Sequence, residues 1–139
     1  MKPSPLAVPC LTRWSLVLTD AGFLVYWVIV TAELIPPGWA FKDYADPVLT
    51  DWNYSFLVLD VLASLTGLAG LRALKRGHPN GRLVVAVSLT LTFTAGLQAI
   101  SFWILRADFN PVWWLPNLWL LLFPAVAFAV LLRNRKGRR

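Results

Sequence analysis

The residues best equipped for chemistry are three carboxylates set within apolar stretches: Asp60, Asp20 and Glu33. Asp60 is the most telling of them. It closes the run Asp51-Trp52-Asn53-Tyr54-Ser55-Phe56-Leu57-Val58-Leu59-Asp60, in which a polar, aromatic loop dives into an apolar segment and carries a carboxylate with it. An acidic side chain well inside a membrane helix costs roughly 2.5–3.5 kcal/mol on insertion scales, so it faces a protein interior or a water-filled cavity and marks a functional position. Two chemistries are open to it: a protonated carboxyl is a general acid, and an ionised one holds a cationic ligand. Asp20 shares a helical face with Trp27, seven residues on. Glu33 lies near the outer end of the same segment but on another face, where a long side chain can snorkel to the interface.

The polar residues that would join Asp60 are set by helical spacing. Asn53, Leu57, Asp60, Ser64 and Gly67 recur at i, i+4, i+7, i+11 and i+14, a single face, and Gly67 and Gly70 allow a neighbouring helix to come close. A second stripe, Thr90, Thr94, Gln98 and Ser101, follows on the next segment. Asn117, just after Pro116, lies a turn inside the last. Asp60, Gln98, Ser101 and Asn117 all fall in the outer halves of their segments. They predict a polar cavity that opens outward, roofed by the loop over residues 36–53 and walled by Trp52, Tyr54, Trp103 and Trp113. Interhelical hydrogen bonds, worth about 0.6–2 kcal/mol each, are the competing explanation and suit Gln98, Ser101 and Asn117 better than Asp60.

The elements that position these groups are membrane helices. Of 139 residues, 58% are hydrophobic and only 14% charged, with eight Trp and eight Phe; the mean hydropathy is +0.60. This is the composition of one integral membrane domain. Four apolar spans are expected, at about 14–35, 54–74, 83–105 and 112–132, each long enough at 1.5 Å per residue to cross a hydrocarbon core of about 30 Å. A tail over residues 1–13 precedes them and a basic tail over 133–139 follows. The fold class expected is therefore all-α, an integral membrane four-helix bundle. The first span is too long for a signal peptide and lacks a small-residue cleavage site after it.

Charge orients the bundle. All of the thirteen Lys and Arg except Lys42 and Arg106 fall in the two tails and in the loop between the second and third spans. Both termini are therefore expected on the cytoplasmic side of a bacterial plasma membrane. Trp39, Tyr44, Trp52, Tyr54, Trp103, Trp113 and Trp114 gather at the opposite ends of the spans, partly as an interfacial belt. The net charge of +6 follows topology rather than an aromatic-interleaved basic patch, so no nucleic acid is expected. One cysteine, Cys10, and one histidine, His78, in a loop, leave no metal-ligand set, and no cofactor is expected. Phosphate-binding loops, nucleophile elbows and zinc-protease motifs are absent.

Several runs carry a resemblance: Lys42-Asp43-Tyr44; Trp52 to Phe56, leading to Asp60; Ser88 to Phe93 followed by Gly96 to Trp103; and Trp113-Trp114-Leu115-Pro116-Asn117-Leu118. Through them the chain resembles the YvaD-like family of small bacterial four-span membrane proteins from the first span to the fourth. The resemblance implies architecture and no catalytic residue, since the family has no assigned function. Three readings stay open. In the first, Asp60 anchors a lipophilic or cationic small molecule in the cavity. In the second, Asp60, Glu33 or Asp20 acts as the acid of a membrane isomerase or cyclase acting on a terpenoid or sterol-like substrate. In the third, the polar stripes pair helices of a homo-oligomer or of a partner membrane protein.

Overall fold

The computed structural model describes residues 8–136, with side chains up to residue 133. Most of the expected N-terminal tail, with Lys2, and the end of the expected basic tail, with Arg138 and Arg139, lie outside the described residues. Six helices follow in order: α1 (Cys10–Thr31), α2 (Pro37–Ala40), α3 (Pro47–Tyr54), α4 (Phe56–Lys75), α5 (Gly81–Leu105) and α6 (Pro111–Lys136). There are no strands among the described residues. Four stretches are long and apolar enough to cross a membrane: Cys10–Thr31, Pro47–Lys75, Gly81–Leu105 and Pro111–Arg133. The chain is a small multi-pass membrane protein.

The helix ends differ from the expected spans for local reasons. α1 begins at Cys10, directly after Pro9, and so takes in residues expected in the tail. It stops at Thr31 rather than Ile35 because Glu33 turns into a left-handed conformation (φ 54°) and the Leu34 N–H donates back to the Ile29 carbonyl (3.0 Å). Pro36 then bars continuation. The loop expected over 36–53 holds two helices. Asp46 caps α3, its carboxylate accepting from the Val48 N–H (2.9 Å), and Pro47 occupies the first helical position.

Small residues decide which helices touch. α4 and α5 are antiparallel and close, with Gly67 beside Ser88, Gly70 beside Val85 and Gly81 beside Leu74. A Cβ at Gly70 would lie 2.7 Å from the Val85 nitrogen, so only glycine permits that approach. On its other side α5 packs on α6, where Gly96 lies against the backbone of Asn117, Leu120 and Leu121. α1 packs against α4 but touches α6 only slightly. The four long helices therefore run α1, α4, α5, α6 around an incomplete ring. The seam between α1 and α6 is left loose.

Two apolar clusters hold this arrangement. Leu16, Val85, Leu89, Phe123 and Ala127 join α1, α5 and α6 at one end. Trp27, Val30, Ala40 and Phe41 join α1 to the α2 segment at the other, and the Tyr26 hydroxyl donates to the Ala40 carbonyl (2.7 Å). The α2 segment thus caps the end of the helix group.

Candidate functional site

Between the two clusters lies a cavity of about 590 Å³, within the range of small-molecule sites. Four helices and the α2–α3 segment contribute to it. Trp52 and Asn53 come from α3, Asp60 from α4, Trp103 from α5, and Trp113 and Asn117 from α6. These six of the expected binding residues line one cavity. The exposed edge of the cavity is formed by Leu18 and Gly22 of α1 and by Pro116 and Trp119 of α6. It follows the loose seam between those two helices. Buried Ala40 and Phe41 cap the end at which an outward opening was expected.

Asp60 is held there by α4 and α1 together. It is only 6% exposed. Its Oδ2 accepts from the Trp27 indole N–H (2.9 Å), and its Oδ1 is buried with no hydrogen-bond partner. Trp27 is fixed in turn by edge contact with Tyr26 (5.0 Å between ring centroids) and by Tyr54 (5.8 Å). Trp27→Phe keeps those ring contacts and removes the donor, leaving both carboxylate oxygens without a protein partner. It is expected to destabilise the protein by about 1–3 kcal/mol, measured as a lower midpoint of unfolding in mixed micelles.

Of the acidic and basic groups around the cavity, one lacks an ion-pair partner among the described residues. Lys42, on the rim, forms a salt bridge with Asp108 of the α5–α6 loop, and its ammonium lies 5.5 Å from the centre of the Trp103 ring. That pair is partly exposed and contributes little stability. Its importance is that it cancels, so Asp60 remains the acidic group on the walls without an ion-pair partner among the described residues. The remaining lining is largely aromatic. Trp52 stacks on Phe102 (3.9 Å) and meets Trp103 edge-on (5.7 Å). Pro116 and Pro124 lie within α6. Each removes one helical N–H, from the carbonyls of Val112 and Leu120, and both of those residues line the cavity.

Four of the expected binding residues do not line it. Tyr54 is exposed and packs on Trp27 and Phe41 from outside. Ser64 is fully buried below Asp60 and donates to its backbone carbonyl (2.8 Å). Gln98 stands exposed and Ser101 half-buried, away from the cavity. The stripe to which they belong faces outward, with Thr90 and Thr94 donating to the carbonyls four residues back (2.9 Å each). A threonine satisfied in that way tolerates an apolar surrounding. The inward face of α5 is instead Ser88, Thr92, Ala95, Ala99 and Trp103.

The three candidate acids are dispersed as well. Glu33 is exposed beyond the end of α1. Asp20 is fully buried where α1 meets α4 and α5, and it does not line the cavity. Asp60 alone of the three meets the cavity. The α1 wall, Thr19, Gly22, Phe23 and Tyr26, was not anticipated, although its i, i+3, i+4, i+7 spacing marks one face. Trp119 was also missed. Its indole N–H donates to the Thr19 hydroxyl (3.0 Å), the one side-chain hydrogen bond spanning the α1–α6 seam among the described residues.

Residues 12–138 match a family of unknown function, DUF5360. An uncharacterised protein of Bacillus subtilis (strain 168), YvaD, is 43% identical to this chain over 122 residues, which cover 88% of this chain and 90% of that protein. No solved structure matches significantly.

Proposed function

The chain belongs to the DUF5360 family, and from the cavity that it carries we propose that it is a binding protein for lipophilic organic cations. Asp60 is the anionic anchor. The observation behind this reading is a single carboxyl group without an ion-pair partner, with one oxygen already held by Trp27 and the other unpartnered, on a largely apolar wall rich in aromatic rings. Aromatic faces attract cations by about 0.5–2 kcal/mol each, and the apolar lining suits a greasy body around the charge. The exposed edge along α1 and α6 supports entry from the bilayer rather than from water.

The same reading includes a topology. The four-helix bundle sits in the plasma membrane with both termini cytoplasmic, supported by the crowding of Arg72, Lys75, Arg76 and Arg82 between α4 and α5. The α2–α3 segment then lies outside. Acid catalysis within the cavity, the alternative reading, rests on Asp60 alone, because Glu33 and Asp20 stand away from it.

The test uses the full chain in lipid nanodiscs and tetraphenylphosphonium as probe, followed by equilibrium dialysis. Wild type is expected to bind one equivalent saturably. Asp60→Asn, which preserves an oxygen for the Trp27 N–H, is expected to bind at least about tenfold more weakly, a difference of about 1.4 kcal/mol. Equal affinity in the two proteins, or no saturable binding by wild type, would refute the assignment.

A further inference from the structure

A second group of polar atoms lies outside the cavity, where α1, α4 and α5 pack together. Asp20 of α1, Ser88 and Thr92 of α5 are each 0% exposed. Both Asp20 carboxylate oxygens, the Ser88 hydroxyl and the Thr92 hydroxyl are buried without any hydrogen-bond partner. Four unsatisfied oxygens on three neighbouring side chains are far more than ordinary packing tolerates, since buried polar groups are paired and buried charges are paired or bind metal ions. The mechanism proposed for the cavity uses none of them.

Their placement is specific. A Cβ added at Gly67 of α4 would overlap Asp20 Oδ2 and lie 2.7 Å from Ser88 Oγ, so both oxygens converge on the one face of α4 that has no side chain. They are near neighbours, yet they make no hydrogen bond to each other. Thr92 stands one helical turn from Ser88 on the same face of α5. Ser64, also fully buried, is engaged with the Asp60 carbonyl and does not satisfy them. Among the described residues no lysine or arginine pairs with Asp20, the sole ion pair being that of Lys42 with Asp108.

From this geometry we infer that Asp20, Ser88 and Thr92 form a binding site for a dehydrated monovalent alkali cation of sodium size. The donor set is wholly hard oxygen, which selects alkali and alkaline-earth ions over softer metals. Its single negative charge selects within that group: a monovalent ion leaves the buried site neutral, whereas a divalent ion leaves a net positive charge in an apolar core. Asp20 Oδ2 and Ser88 Oγ, brought together at Gly67 without bonding to each other, are arranged as ligands of a shared ion, and Thr92 lies one turn further along the same face of α5. The absence of a side chain at Gly67 lets Asp20 Oδ2 sit against α4 beside Ser88 Oγ. This site stands independently of the organic-cation cavity.

The test is equilibrium binding of radioactive sodium to the full-length protein in nanodiscs, with choline chloride holding ionic strength constant. Wild type is expected to bind one sodium saturably, and sodium is expected to raise its unfolding temperature relative to choline. Asp20→Asn abolishes both effects. Ser88→Ala, which removes only a hydroxyl and guards against misfolding of the carboxamide variant, weakens binding by about tenfold or more. Glu33→Gln, at an exposed carboxylate, leaves binding unchanged. The inference is overturned if wild type binds no sodium above the choline background, or if a folded Asp20→Asn or Ser88→Ala protein binds it as wild type does.

Discussion

Gly96→Leu is expected to separate α5 from α6 and to leave a protein that cannot hold its cavity. At this position even a Cβ meets the backbone of α6, at 2.5 Å from the Leu121 nitrogen, 2.7 Å from the Leu120 carbonyl carbon and 2.9 Å from the Asn117 oxygen. Backbone atoms of a helix cannot swing aside as a flexible side chain can, so α6 must move as a body. Gly96→Ala is expected to cost about 1–3 kcal/mol through overpacking, despite the gain in helix propensity of about 1 kcal/mol that alanine brings. Gly96→Leu goes further, because the displaced segment carries Trp113 and Asn117, the α6 wall of the cavity. Unfolding of both variants in mixed micelles checks this against Gly22→Ala, where nothing lies within 4 Å of the added carbon and no loss is expected. A Gly96→Ala protein as stable as wild type would show that α6 is not seated on α5 as described.

Gly22→Leu is expected to do the reverse: to keep the fold and remove the binding. Gly22 lines the cavity at its exposed edge, in open space. A leucine there projects into the opening between α1 and α6 without displacing any backbone, and alanine at the same position scarcely intrudes. Tetraphenylphosphonium binding should fall at least about tenfold in Gly22→Leu, equivalent to about 1.4 kcal/mol, and stay near wild type in Gly22→Ala, with unfolding midpoints preserved in both. Because Gly22 carries no charge, this result separates occupancy of the cavity from attraction to Asp60. Undiminished binding by Gly22→Leu means that the ligand sits elsewhere on the protein.

The parts of this picture that were legible in the sequence are those governed by composition and local spacing. The four apolar spans follow from length and hydropathy, and the burial of Asp60, Ser64 and Gly67 on one face of α4 follows from their period. Residue type alone misled for α5. Thr90, Thr94 and Gln98 form the more polar stripe, but a threonine hydroxyl can bond to its own helix and face outward, whereas Ser88 and Thr92, which are buried, sit on the face marked by Ala95, Gly96 and Ala99. Small residues were therefore the better guide to the inside than polar ones. The loose seam between α1 and α6 had no sequence signal, because spacing within a helix says which face is polar and not which neighbour it meets. The α3 helix lies in a stretch expected as loop, its start fixed by the Asp46 cap and Pro47.

Asp20 changes the weight given to Asp60. Both are buried carboxylates on neighbouring helices, yet one meets the cavity while the other lies in the helix packing beside Ser88. A membrane protein that keeps two such groups apart can hold two different cations at once, a large organic one near the α2–α3 segment and a small one within the helix packing. Thr19, which lines the cavity and accepts from Trp119, is the chain neighbour of Asp20 and the shortest covalent path between the two sites.

The most direct test of the cavity is photolabelling in membranes with a photoreactive lipophilic cation, with the modified residues identified by mass spectrometry. Adducts are expected on the facing walls of α1 and α6, at Phe23, Trp113 and Asn117, and excess tetraphenylphosphonium should suppress them. Adducts confined to outward residues such as Leu62, Leu65 and Val126, and indifferent to the competitor, would contradict the account.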